Sequence, residues 1–262
     1  MNRTPINVSP SDFPEELREY IIQGKIYDSS CSNAARVYFI DTDKGLYLKR
    51  SAKGSLEREA LMTDYFGKLG LGAKVVKYLS DEYDWLLTER VPGEDLTHAD
   101  VLKDPCRLAE FSGKLLRQLH DRSYGDCPVQ DRLSEALQYA KESMEKGNFS
   151  CEFHLPEKFR PRSIEEAWDY VRKNAHILKA DTLIHGDYCL PNVMAENWSF
   201  TGFIDLGNSG VSDRHFDIFW GAWTLQFNLK TDAYADIFFD AYGRDRIDFT
   251  ALKTVAYIEC FV

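Results

Sequence analysis

The 262-residue chain lacks the features that mark membrane and secreted proteins. No stretch comes near the roughly 18 apolar residues of a membrane span, and residues 1–10 lack the basic region and apolar run of a signal peptide. The six cysteines include no C-x-x-C pair, so we expect reduced thiols that are mostly structural. These absences predict a cytoplasmic protein with no membrane partner.

Positive charge is also scarce, with 32 Lys and Arg against 42 Asp and Glu, a net charge of −10. This balance argues against a nucleic-acid partner, because backbone binding needs clustered basic residues. The excess of acid lies in the second half: residues 94–262 carry 28 acids and 19 bases, whereas residues 1–93 carry 14 and 13. Either a solvated acidic surface or a site for a polycation would account for the asymmetry.

Strand-like segments dominate the first third of the chain and helical patterns dominate the rest. The predicted strands are 25–28, 35–41, 46–49, 74–79, 84–89, 182–185 and 200–204. The predicted helices begin at an Asp12 N-cap whose capping box is completed by Glu15, at Ser55, at the Asp104-Pro105 pair, at a Ser163/Glu166 capping box, and near residues 215, 231 and 248. Val91-Pro92-Gly93 has the composition of a hinge. The pattern predicts a two-lobed α+β protein, with an N-terminal lobe at 1–90, a hinge at 91–93 and a C-terminal lobe at 94–262.

Three common signatures of nucleotide and zinc enzymes are missing, namely G-x-x-x-x-G-K-[ST], G-x-G-x-x-G and H-E-x-x-H. What is present is His185-Gly186-Asp187-Tyr188-Cys189-Leu190-Pro191-Asn192, followed by Phe203-Ile204-Asp205-Leu206-Gly207. Phosphoryl transfer needs one carboxylate to orient the attacking hydroxyl, and an Asn and a second carboxylate to hold magnesium. Asp187, Asn192 and Asp205 fit these roles in that order.

The first half offers an independent indication. In Leu46-Tyr47-Leu48-Lys49 the strand period places Tyr47 and Lys49 on one face. Glu59 lies on the apolar stripe of the following helix, and a buried carboxylate needs a partner, for which Lys49 is the candidate. A Lys held by a helix Glu beside phosphates is typical of kinases. The small, polar segment 29–34 suits a loop whose backbone amides approach phosphate.

Taken together, these motifs give a chain that resembles the aminoglycoside 3′-phosphotransferases along its whole length, most densely from Leu183 to Asp217. The resemblance implies a bilobal protein-kinase-like fold, ATP and Mg²⁺ as cofactors, and γ-phosphate transfer to the 3′-hydroxyl of an aminoglycoside, which confers resistance. It also implies the individual roles. Tyr47 would stack on adenine, Lys49 would bind phosphates and pair with Glu59, Ser32 would touch phosphate, main-chain atoms of Glu89 and Val91 would hold adenine, Asp187 would be catalytic, and Asn192 and Asp205 would ligate magnesium.

Substrate ammonium groups would be bound, by the same resemblance, by carboxylates before the catalytic loop and at the C-terminus. Glu152, Glu157 and Glu259 are the candidates. The chain departs from its relatives here: Ile258 replaces an expected carboxylate, Asn208 stands where many have Arg, and Trp223-Thr224 stands where some have Arg-Asp. These departures predict an unusual drug spectrum.

Two other interpretations stay open on sequence alone. One is a kinase for another small molecule: a tuberactinomycin-type peptide, choline or a sugar such as methylthioribose. A polyamine drug needs several acids, whereas choline favours an aromatic cage, for which Trp220 and Trp223 are candidates. The other is a non-catalytic pseudokinase, against which the intact Lys49, Asp187, Asn192 and Asp205 argue.

Overall fold

The structure is a computed structural model that describes residues 3–31, 35–153 and 155–261. The chain divides into two compact units. The first contains the residues up to Asp95 together with Met194–Gly207, and the second contains Leu96–Val193 and the residues from Asn208 onward. Residues 194–207 therefore belong to the first unit, whereas the sequence-based division assigns them to the C-terminal lobe.

Eleven strands and nine α-helices are formed by the described residues. The strands are β1 (Thr4–Pro5), β2 (Lys25–Asp28), β3 (Arg36–Asp41), β4 (Leu46–Ala52), β5 (Val75–Ser80), β6 (Tyr83–Glu89), β7 (Glu94–Asp95), β8 (Thr182–Ile184), β9 (Val193–Glu196), β10 (Ser199–Phe203) and β11 (Gly210–Ser212). The helices are α1 (Glu15–Ile21), α2 (Glu57–Lys68), α3 (Ala99–Leu102), α4 (Pro105–His120), α5 (Arg132–Lys146), α6 (Ile164–Asn174), α7 (His215–Leu229), α8 (Ala235–Tyr242) and α9 (Phe249–Ile258).

A six-stranded antiparallel sheet, in the order β1-β2-β3-β4-β6-β5, forms the centre of the first unit. Leu46 and Leu48 of β4 point to one face, where they are buried with Leu17 of α1 and Trp85 of β6. Side chains alternate along a strand, so Tyr47 lies on the opposite face with Lys49, as the sequence predicts.

A second, three-stranded sheet in the order β10-β9-β7 completes the first unit. The sequence predicts β10 but not β9. The turn between them uses Asn197 and Trp198, both in the left-handed region at φ 51° and 64°. Two left-handed residues are what a tight two-residue hairpin requires. Asn is common in such a turn and Trp is not, which hides the hairpin from sequence inspection.

Helices dominate the second unit, where α4 packs against α8, and α9 packs against α6 and α7. Leu183 of β8 pairs with Val211 of β11 in a two-stranded antiparallel ladder. The chain turns from β8 directly into the His185–Asn192 loop, so the buried ladder anchors the start of that loop.

Several predicted boundaries are wrong. Asp12 is not the N-cap of α1, which begins at Glu15 after Pro14 and has no side-chain cap. Asp12 instead ends a 3₁₀ turn, Pro10–Asp12, that Ser9 caps, and it accepts from the Ser9 N–H at 3.0 Å. Helix α8 begins at Ala235 rather than at residue 231. Helix α5 was not predicted, although the Asp131 N-cap and the left-handed Gly147 at its end are standard signals.

The predicted N-caps Asp104 and Ser163 are both present. Asp104 accepts from the Arg107 N–H at 3.2 Å, and Ser163 accepts from the Glu166 N–H at 3.2 Å. The Glu166 carboxylate accepts from the Arg162 N–H rather than from Ser163, so only half of that capping box forms. All six cysteines are free thiols. Among the described residues, no helix combines the length and the hydropathy needed to cross a membrane.

Candidate active site

Three charged side chains converge in the first unit. The Lys49 Nζ lies 2.7 Å from Glu59 Oε2 and 3.1 Å from Asp205 Oδ1. Lys49 comes from β4, Glu59 from the first turn of α2, and Asp205 from just beyond β10. The structure therefore brings together the Lys and Glu that the strand and helix periods paired.

Burial and neighbouring charges shift the pKa values of Lys49 and Glu59 in opposite directions. Burial disfavours the charged form of Lys49, but the carboxylates of Asp205 and Glu59 outweigh it and raise its pKa, so the ammonium stays charged. Burial raises the pKa of Glu59, and Lys49 opposes that shift. A cation held in place by two carboxylates is suited to bind an anion such as a phosphate.

The backbone of Asp205 is in the left-handed region, at φ 59°. This conformation is costly for a residue other than Gly, and such strain is found at functional sites. Its side chain keeps 53% of its surface exposed while one oxygen binds Lys49. The other carboxylate oxygen can therefore reach a cation from solvent, which fits the magnesium-binding role that the resemblance predicts for Asp205.

Tyr47 has a partner that the sequence did not indicate. Arg3, directly before β1, donates from Nη2 to the Tyr47 Oη at 2.8 Å. The Arg3 guanidinium also lies 3.6 Å from the ring centroid of Phe39, and Phe39 packs against Tyr47 with centroids 5.1 Å apart. The N-terminal segment thus holds the ring that is predicted to face adenine.

The remaining predicted nucleotide contacts are main-chain groups and a loop residue. The Glu89 N–H donates to the Lys74 carbonyl at 2.9 Å, so its carbonyl oxygen is the group that could accept from an adenine amino group. Val91 is buried among Ala73 and Met194. Ser32 lies outside the described residues.

In the second unit, Asp187 and Asn192 bond to each other across one loop. The Asn192 amide donates from Nδ2 to the Asp187 Oδ2 at 2.8 Å and to the Asp187 carbonyl at 3.0 Å. Both bonds use the amide nitrogen, so the Asn192 oxygen is the atom that can ligate a cation. The Asp187 carboxylate is fixed at one oxygen, and its other oxygen can accept a proton or a hydroxyl hydrogen bond.

The start of the His185–Asn192 loop is held by Asp217 of α7, a residue that the sequence did not indicate. Asp217 is fully buried and accepts from the His185 N–H at 2.6 Å and the Gly186 N–H at 2.8 Å. His120 Nε2 lies 3.1 Å from the same carboxylate, and His120 Nδ1 lies 2.9 Å from Tyr242 Oη. Burial lowers the pKa of His120, which indicates a neutral ring that donates to Asp217 and accepts from Tyr242. A single acid inside the apolar run Phe216–Phe219 was the available signal, because a buried charge needs partners.

Gly186 is required by the tight turn that precedes Asp187. Its φ is 83°, and a Cβ built at this position would lie 2.0 Å from the Asn208 carbonyl oxygen. Both the conformation and the contact exclude a side chain.

Of the three predicted substrate carboxylates, Glu259 is the one placed near Asp187. Burial and then the charge of Asp187 raise the pKa of Glu259 to about 7, while a hydrogen bond with the Trp220 side chain lowers it. Glu152 is exposed and lines a cleft of about 550 Å³ together with Arg160 and Arg162. Glu157 is exposed on a short 3₁₀ turn, Glu157–Phe159.

Comparison with known proteins assigns the chain to a family. A family model described as the phosphotransferase enzyme family matches residues 28–253. The chain belongs to this family. The resemblance to aminoglycoside 3′-phosphotransferases is also confirmed, since a Lactococcus lactis protein named "Probable aminoglycoside 3'-phosphotransferase" is 46% identical over 99% of both chains.

More distant relatives support the same family assignment. An aminoglycoside 3′-phosphotransferase of Niallia circulans is 26% identical over 93% of this chain and 95% of its own. The crystal structure of an aminoglycoside-3′-phosphotransferase of type VIII has a TM-score of 0.71 at 25% identity, covering 89% of this chain and 92% of that one. A Streptomyces rimosus aminoglycoside phosphotransferase, solved with ADP and streptomycin, has a TM-score of 0.66 at 19% identity, covering 85% and 92%. The predicted kinase-like α+β fold is confirmed.

Proposed function

We propose that this phosphotransferase uses ATP and Mg²⁺ to transfer the γ-phosphate to the 3′-hydroxyl of an aminoglycoside, and thereby confers resistance. The observation that carries the proposal is the bonded pair of Asp187 and Asn192 in one loop. It is supported by the 46% identity to the Lactococcus lactis relative over nearly the whole chain. Because the reaction draws on ATP, we expect it to take place in the cytoplasm.

Each residue would act through an atom whose surroundings fit its task. Asp187 would accept the hydrogen bond of the attacking hydroxyl and direct its oxygen toward phosphorus, because its Oδ2 is already held by Asn192. The Asn192 oxygen and the exposed Asp205 carboxylate offer the hard oxygen ligands that Mg²⁺ prefers. When bound, the metal would neutralise charge on the phosphates. Lys49 would contribute a further positive charge there.

The nucleotide base would be held by the first unit. Tyr47 presents its ring on the Lys49 face of the sheet, so a base stacked on Tyr47 would extend its phosphates toward Lys49. The Glu89 carbonyl and the Val91 N–H would bond the edge of adenine, and Ser32 would contact phosphate.

Substrate ammonium groups would be drawn to the acidic second half of the chain. Glu259 would be the main carboxylate for these groups, and the proposal is supported by the effect of the Asp187 charge, which raises the Glu259 pKa. Glu152 and Glu157 would add weaker, solvent-screened attraction from the segment after α5.

The test is an ADP-release assay with ATP and magnesium against kanamycin, neomycin, a 3′-deoxy aminoglycoside, capreomycin and choline. Turnover of kanamycin and neomycin, with none of the 3′-deoxy drug, is expected. Turnover of capreomycin or choline alone would show that the enzyme phosphorylates another cationic substrate and not an aminoglycoside. No turnover of any compound, with ATP still bound, would favour a non-catalytic protein.

Asp187→Ala tests the mechanism in the same assay. Loss of the positioning carboxylate should lower kcat by about 10²-fold to 10⁴-fold, with little change in ATP affinity. Glu145→Gln, at an exposed position on α5, is the matched control and should leave kcat unchanged. Near-normal turnover by Asp187→Ala would overturn the assignment.

A further inference from the structure

An aromatic ladder runs along one face of α7. Trp220, Trp223 and Phe227 are spaced by three and four residues, which places them on the same side of a helix. Neighbouring ring centroids are 5.2 Å apart for Trp220 and Trp223, and 4.9 Å apart for Trp223 and Phe227. Phe153, from the segment after α5, joins them at 4.9 Å from Trp223 and 5.7 Å from Phe227. These four residues form the aromatic ladder.

Hydrogen bonds fix both the ladder and its inner end. Trp223 Nε1 donates to the Phe153 carbonyl at 3.1 Å, which ties the segment after α5 to α7. Trp220 bonds the Glu259 carboxylate, and Glu259 is electrostatically coupled to Asp187. Geometry places the same helix at the catalytic loop, because Thr224, next to Trp223, accepts from the Leu190 N–H at 3.1 Å within the segment between Asp187 and Asn192. The ladder therefore begins beside the proposed phosphorylation site.

The outer end of the ladder stays in contact with solvent. Phe153 keeps 59% of its surface exposed and Phe227 keeps 45%, although both already pack against other rings. Covering exposed aromatic surface is favourable, and clusters of such surface next to a site mark binding regions. Folding alone does not cover these rings, so a ligand is a suitable occupant.

The chemistry around the rings indicates a cationic occupant. Lys230 places its Nζ 4.3 Å from the Phe227 ring centroid, so this ring can hold an ammonium group, and a ligand ammonium at Phe227 would have to displace Lys230. The carboxylate of Glu259 lies at the other end, and residues 94–262 carry the acid excess of the chain. From Trp220 to Phe227 the helix rises about 10 Å, which exceeds the width of one sugar ring.

We propose that the aromatic ladder binds the amino-sugar rings of the substrate that lie farthest from the phosphorylated hydroxyl. The C–H faces of these rings would cover Trp223, Phe227 and Phe153, and their ammonium groups would lie over the rings or near Glu259. The inference rests on the proposed aminoglycoside kinase activity and extends it to a specificity surface for larger drugs.

The experiment compares Phe227→Ala with Phe249→Ala. Phe249 is a matched control, because it is 50% exposed on α9 of the same unit and packs edge-to-face on Phe239. Steady-state kinetics are measured with four-ring neomycin and with neamine, its two-ring part, and thermal unfolding confirms that both variants fold. Phe227→Ala should raise the KM for neomycin about fivefold to tenfold and change the KM for neamine by less than about twofold. The kcat and the KM for ATP should stay constant, and Phe249→Ala should match the wild type.

The outcomes separate the two proposals. If the wild type turns over both drugs and Phe227→Ala behaves like Phe249→Ala, the ladder proposal alone fails. An equal loss with neomycin and neamine would also overturn it, because the ladder would then not distinguish the distant rings. If the wild type turns over neither drug, the proposed activity fails and the ladder proposal fails with it.

Discussion

Replacing Asp217 with Asn tests whether the buried carboxylate under the catalytic loop sets both stability and turnover. In the wild type, one Asp217 oxygen accepts from the His185 N–H and faces His120 Nε2, and the other accepts from the Gly186 N–H. Asn offers one oxygen in place of two. Its amide nitrogen would therefore oppose a backbone N–H inside a site that is fully buried.

The size of the effect follows from those contacts. A buried donor left without an acceptor costs about 1–3 kcal/mol, and bonds to a charged acceptor are stronger than bonds to a neutral one by about 1 kcal/mol. Asp217→Asn should therefore lower the free energy of unfolding by about 2–4 kcal/mol, provided that unfolding is two-state. It should also lower kcat, by up to about 10²-fold, because the loop that carries Asp187 loses its support.

Urea unfolding followed by circular dichroism measures the first quantity, and the ADP-release assay measures the second. Glu145→Gln, an exposed change on α5, should stay within about 0.5 kcal/mol of the wild type. An Asp217→Asn protein that matched this control in stability and kcat would refute the account of the loop. Loss of stability with an unchanged kcat would leave Asp217 a purely structural residue.

Three further predictions concern separate parts of the site. Gly186→Ala should abolish turnover and destabilise the fold by several kcal/mol, since the added Cβ would meet the Asn208 carbonyl; thermal unfolding and kcat measure this. Arg3→Ala should raise the Kd for ATP by about threefold to tenfold. It should add little to the effect of Tyr47→Phe, because both substitutions remove the same hydrogen bond between Arg3 and Tyr47; calorimetric titration of the single and double variants measures this coupling. Glu259, with its pKa raised to about 7, is protonated below that pH and ionised above it, so the ratio of the wild-type KM for neomycin to that of Glu259→Gln should fall as pH rises from 6 to 8. The ratio cancels the titration of the amino groups of the drug, which both proteins share.

Periodicity predicted the contacts that lie within short stretches of sequence. The two-residue period of β4 and the 3.6-residue period of α2 placed Lys49 and Glu59 correctly, and the structure joins them at 2.7 Å. Asp187 and Asn192 were predicted in one loop because their spacing is a motif. Their roles toward nucleotide and metal stay predictions. Each of these inferences needed only local geometry and the chemistry of the residue types.

The contacts that the sequence did not predict join distant parts of the chain. Arg3 reaches Tyr47 across 44 positions, and His120 reaches Asp217 across 97. Neither pair has a spacing rule, because their proximity depends on how the whole unit folds. A buried acid such as Asp217 shows that a partner exists but does not identify it. Glu259 was likewise chosen by resemblance, and only the folded chain relates it to Asp187.

Helix α7 serves two different purposes with two faces. Asp217 and Thr224 point to the catalytic loop, and the Thr224 hydroxyl accepts from a loop N–H at 3.1 Å. Trp220, Trp223 and Phe227 form the ladder on a neighbouring face. A helix this apolar on all sides is expected to be buried throughout. The 45% exposure of Phe227 therefore departs from the packing rule at the point where substrate would lie.

Substitutions on the loop face should act on stability and kcat, and those on the ladder face should act on the KM for large drugs alone. The two effects can be separated within one helix because Asp217 acts through hydrogen bonds to the His185 and Gly186 N–H groups, whereas the Phe227 side chain has no hydrogen-bonding atom.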